Sequence, residues 1–101
     1  MTKAWIGLIE VEAEPGHDVL DGAKGAYVNV VALADDESGF RNLVRSTMNE
    51  YNLKAREISD LGPTEERISR GDLVPELHAL VERLSIQSPI QFDEFQAYGD
   101  E

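Results

Sequence analysis

The stretch Gly25-Ala26-Tyr27-Val28-Asn29-Val30-Val31-Ala32-Leu33-Ala34-Asp35-Asp36-Glu37-Ser38-Gly39-Phe40 decides the fold. Nine residues suited to a buried strand follow Gly25 in a strand read over Gly25 to Ala34, rich in valine and bounded by glycine and aspartate, which runs straight into an acidic, serine-bearing cap. Beyond it Phe40, Leu43, Val44, Thr47, Met48 and Tyr51 follow the i, i+3, i+4, i+7 spacing of a helix with one buried stripe. Arg41, Arg45 and Asn49 take the outer side. A strand feeding directly into an amphipathic helix predicts a mixed α and β domain. The helix is expected to begin near Ser38, with Asp35, Asp36 and Glu37 close to the positive end of its dipole. Asn52 tolerates a left-handed backbone and marks its end.

Working outward, Lys3 to Ala13 reads as a first strand, with Trp5, Gly7, Ile9, Val11 and Ala13 on one face. On its other face Ala4, Ile6 and Leu8 give way to Glu10 and Glu12. The apolar run at the N-terminus is too short for a secretory leader or a membrane span, so it is read as part of this strand. Pro15-Gly16 and Gly22 mark a loop over 14–24, long for a hairpin connection. Leu53 to Leu61 reads as a third strand whose alternation is interrupted around Glu57-Ile58, ended by Gly62-Pro63. One short helical turn is expected over Thr64 to Ser69. A second helix is expected from Asp72, with Leu73, Leu77, Leu80, Val81 and Leu84 as its apolar stripe. After Ser88-Pro89, Ile90 to Tyr98 reads as a last strand with an irregularity at Asp93-Glu94.

Two amphipathic helices need an apolar surface, and only the sheet supplies one. The expectation is an α+β two-layer sandwich of order β-β-α-β-α-β. It has a four-stranded mixed sheet, an antiparallel first pair, and both helices on one face. This is similar to ferredoxin-like sandwiches in general architecture, though not in element order. The opposite sheet face, carrying Trp5 or Tyr27 and several valines, is then open to a second subunit, and a homodimer through it is expected.

The chain has 101 residues, the size of a single domain able to bury roughly 60–70% of the surface its unfolded form exposes. It contains no cysteine, which excludes disulfides, zinc thiolate sites and cysteine nucleophiles and makes the cytoplasm the expected compartment. The net charge is −11. Residues 1–40 hold two lysines against eight acids, and residues 84–101 four acids and no base; between them, seven bases meet eight acids. Such a field opposes nucleic acid phosphates and anionic lipid and favours a basic partner.

Glu10, Glu12 and Glu14 share a strand face at roughly 6.5–7 Å intervals, and His17, Asp18 and Asp21 follow in the loop. The spacing fits no EF-hand, which needs acids at alternate positions, a central glycine and a terminal glutamate. These six residues are therefore expected to form a binding surface rather than a metal site. No Gly-x-Ser-x-Gly elbow and no His-Glu-x-x-His helix is present, so no catalytic residue and no cofactor is assigned. His78, one turn before Glu82, reads as a surface pair. Gly22-Ala23-Lys24-Gly25 has nucleotide-clamp spacing but leads into a strand amid acids, so it reads as a turn. Arg70-Gly71-Asp72 is read as a helix boundary rather than an adhesion signal. Arg41, Arg45 and Arg56 form a basic patch if the first helix lies beside the third strand.

The expected function is that of a non-enzymatic protein-binding module. The alternative is a small homodimeric ligand-binding or enzymatic domain with a pocket at the 14–24 loop, where His17 with Glu12 or Asp21 supplies the acid and base.

Overall fold

The computed structural model describes residues 2–13 and 24–98. Strands β1 (Lys3–Ala13) and β2 (Gly25–Ala34) have the bounds expected from the sequence. They pair antiparallel without a slip, from Lys3 opposite Ala34 to Glu12 opposite Gly25. Odd-numbered residues of β1 therefore share a face with even-numbered residues of β2. On that face Ile9, Val11, Ala26, Val28, Val30 and Ala32 are all buried.

Helix α1 (Glu37–Glu50) lies across this face and buries Phe40, Val44 and Met48 in the same cluster. Its cap is Asp36 rather than Ser38: Asp36 is extended, and its carboxylate accepts the Gly39 amide at 2.8 Å. Asn52 follows the helix with a φ of 62°, the left-handed stop that its short polar side chain favours.

Strand β3 (Leu53–Pro63) returns along the far side of β1, giving the sheet order β3-β1-β2-β4. Since β1 is antiparallel to both β2 and β3, those two run in the same direction with β1 inserted between them, a split β-α-β unit. Every pair of neighbours is antiparallel, so the sheet is not mixed as the sequence led us to expect. The reason is that β1 lies between β2 and β3, so the two strands joined through α1 run parallel without being neighbours. Along β3 the register slips twice against β1, leaving an extra residue at Arg56 and another near Asp60, whose φ is 52°. These bulges rephase the strand so that Leu53, Ala55, Ile58 and Leu61 all reach the α1 core. The interruption anticipated around Glu57-Ile58 thus lies between the two slips.

Helix α2 (Thr64–Arg70) follows at once. Its Thr64, the one buried polar side chain among the described residues, donates to the Ala4 carbonyl at 3.2 Å and ties the helix start to β1. Gly71, at φ 74°, ends it in the left-handed conformation that glycine adopts without cost. Helix α3 (Pro75–Glu82) begins three residues later than expected. Pro75 opens it, no side chain caps it, and Asp72 pairs with Arg70 at 3.3 Å instead. The last strand is split at the expected irregularity into β4 (Ile90–Phe92) and β5 (Gln96–Tyr98), both antiparallel to β2. Between them the Asp93 carboxylate accepts the Glu94 amide at 2.8 Å, while the Asp93 amide donates to the Asn29 carbonyl.

The fold is thus α+β, an antiparallel sheet with three helices, loosely like a ferredoxin-like sandwich. The helices do not share one face. Leu77 and Leu80 of α3 pack with Ile6 and Val31, which have the opposite parity to the residues under α1. Helix α3 therefore covers the reverse of the sheet, at the end where β1 and β2 are apolar on both sides. That end needs a cover on each face, and one helix cannot supply both.

Candidate functional site

Helix α3 reaches only part of the reverse face. Beyond Ile6 and Val31 the same side of the sheet continues through Leu8, Glu10 and Glu12 on β1 and Asn29 and Tyr27 on β2. No described element packs over this end. Tyr27 is 43% exposed there, and Glu10 stands directly opposite it.

On the other side of β1 the register sets Glu10 opposite Glu57 and Glu12 opposite Lys54. Glu12 accepts a hydrogen bond from Arg56 Nη1 at 3.0 Å, so the bulge residue delivers its guanidinium to this face. With both side chains about half exposed, that pair contributes roughly 0–1 kcal/mol. Glu10 and Glu57 are like charges set directly across the ladder, with Arg56 and Lys54 on the same side of the strand pair. What the described arrangement can do chemically is accept positive charge beside an aromatic ring.

Of the six residues assigned to the surface from sequence, Glu10 and Glu12 stand on this side of β1. Glu14, His17, Asp18 and Asp21, with the loop pocket proposed around them, lie outside the described residues. Glu57 was not anticipated, because its position opposite Glu10 depends on the bulge at Arg56, which no alternation pattern reveals. Tyr27 was legible: it is the aromatic that interrupts the buried run of β2.

Elsewhere, His78 Nδ1 lies 3.9 Å from the Glu82 carboxylate on the exposed side of α3. Among the described residues no group of three or more histidines and acids is placed to hold a metal ion, and no buried side-chain polar atom lacks a partner. The expected patch of three arginines is dispersed. Arg41 turns to Glu37 at 3.3 Å and Arg56 to Glu12, which leaves Arg45 alone beside β3. No described helix is long and apolar enough to cross a membrane. Comparison of the chain with protein-family models, curated proteins and solved structures finds no match.

Proposed function

We propose that this chain is a non-enzymatic protein-binding module of the cytoplasm, which presents the end of its sheet left open by α3 to a basic partner. The observation that carries this reading is the Glu10, Glu57 and Tyr27 cluster on that face. A lysine or arginine of the partner would meet the carboxylates of Glu10, Glu12 and Glu57 there, and the tyrosine ring offers the rigid apolar contact area typical of interface centres. The net charge of −11 adds long-range steering, which raises association rates with a basic surface and weakens with salt. A second copy of this chain would bring its own carboxylates to the face, so the partner is a different and basic protein.

The experiment is retention of basic proteins on the immobilised chain across a salt series, comparing two charge-matched double variants. Glu10→Lys with Glu57→Lys should abolish salt-sensitive retention. Glu76→Lys with Glu82→Lys, which changes the net charge equally on α3, should leave most of it. Equal loss in both variants, or no salt-sensitive retention by the native chain, overturns the reading.

A further inference from the structure

Strand β3 is an edge of the sheet, with β1 on one side and no described strand on the other. Alternate peptide groups along such an edge point outward and can pair with an added strand. A groove of about 500 Å³ runs beside it, with Arg45, Ser46 and Asn49 of α1 as one wall and Leu53, Lys54 and Ala55 of β3 as the other. Over Leu53–Ala55 the strand is regular, paired in step with Ala13, Glu12 and Val11, and the first bulge comes only at Arg56. That bulge turns the rest of the edge away, which confines any added strand to the short regular segment flanked by α1.

The charges around this segment run against the rest of the molecule. Lys3, Arg41, Arg56 and Arg70 each pair with a carboxylate, and Arg67 donates to the Asp60 carbonyl. Arg45, Lys54 and Arg83, all exposed, make no ion pair or side-chain hydrogen bond with a described residue, and of the three only Arg45 and Lys54 flank one strand segment, in a chain of net charge −11. Their positions are complementary. Arg45 overhangs the edge from the α1 side, while Lys54 stands opposite Glu12 and so belongs to the reverse face. Successive side chains of an extended strand point to opposite faces. A strand laid along Leu53–Ala55 would therefore offer one side chain to Arg45 and the next to Lys54.

We propose that the β3 edge beside α1 is a strand-addition site for an extended acidic segment of another protein, carrying two consecutive carboxylates. Main-chain pairing to Leu53–Ala55 supplies the register, and the two cations on opposite faces select an acidic pair over a neutral one. Through Lys54 the site borders the face that carries Glu10 and Tyr27, but its main-chain pairing runs along the outer edge of β3 and it takes ligands of the opposite charge.

The test uses a fluorescein-labelled, end-capped peptide, Thr-Val-Glu-Asp-Val-Thr, and its Thr-Val-Gln-Asn-Val-Thr counterpart, titrated with the full chain at low salt and followed by anisotropy and amide NMR shifts. The acidic peptide should bind saturably, shift the amides of Leu53, Lys54 and Ala55, and slow their hydrogen exchange. The neutral peptide, and a chain with Arg45→Glu and Lys54→Glu, should each bind roughly five- to tenfold more weakly. The Glu10→Lys, Glu57→Lys chain should keep the peptide shifts at Leu53–Ala55, so that failure here and failure of the open-face reading are separable. Absence of binding at millimolar peptide, equal binding of both peptides, or shifts centred away from β3 would each overturn the proposal.

Discussion

Asp36 and Ser38 both look like helix caps in the sequence, and the backbone decides between them. Asp36 is extended, with φ −155° and ψ 179°, and its carboxylate reaches the Gly39 amide three residues on, whereas Ser38 already lies within the first turn of α1. A carboxylate at the cap satisfies an orphan amide and complements the dipole at once, while a serine inside the first turn does neither. Asp36→Ala should therefore destabilise the chain by about 0.5–2 kcal/mol and Ser38→Ala by less than about 0.5 kcal/mol. Urea midpoints of the two variants check this; the reverse order would show that the helix starts at Ser38 in solution.

Among elements, the decisive contact lets α1 lie close to β1. Gly7 has no side chain, and a β-carbon built there would sit 3.2 Å from the ring of Phe40, which is fully buried, and 3.4 Å from Ile58. The aromatic ring fills the space that the glycine vacates. Gly7→Ala should therefore cost about 1–3 kcal/mol through overpacking. In a Phe40→Leu background, where the ring edge is gone, the same change should cost less. Denaturant unfolding of the four chains yields the coupling, expected in the range of about 0.5–3 kcal/mol; strictly additive changes would mean that the ring simply moves aside.

Much of this level was legible in the residues. Alternation placed β1, a valine-rich run between glycine and aspartate placed β2, the stripe from Phe40 to Met48 placed the buried side of α1, and Asp93-Glu94 foretold the split between β4 and β5. The side chosen by α3 was missed, because an amphipathic stripe says that a helix needs a surface without saying which. One signal for it was present. From Val30 to Ala34 the apolar run of β2 is continuous, as in a strand covered on both faces, while Tyr27 and Asn29 interrupt it where no described element covers the reverse face. The candidate site was half legible for a related reason. Glu10 and Glu12 follow from alternation alone, but Glu57 reaches them only through a bulge, which is a property of the strand pair.

At the scale of the whole molecule the two faces of the sheet are unequally secured. The α1 side holds a continuous core running from Ile9 and Val28 through Phe40 and Met48 to Leu53. On the reverse side α3 is anchored by Leu77 and Leu80 on Ile6 and Val31, with Leu73, Val81 and Leu84 partly buried around them. A helix of eight residues without a side-chain cap has little stability of its own, so α3 persists through this small cluster. Cooperative units with few buried apolar contacts open at lower free energy than the global core. Amide exchange of α3 should accordingly proceed through a partial opening, with protection measurably below that of α1 and of the β1–β2 ladder. Leu80→Ala should widen that gap while leaving exchange from α1 nearly unchanged. Native-state exchange in low denaturant reads both quantities. If α3 exchanged only at the global unfolding limit, or if Leu80→Ala lowered protection in α1 as much as in α3, the two faces would form one cooperative unit. If the gap is found, opening of α3 uncovers Ile6 and Val31 beside the acidic end of the sheet.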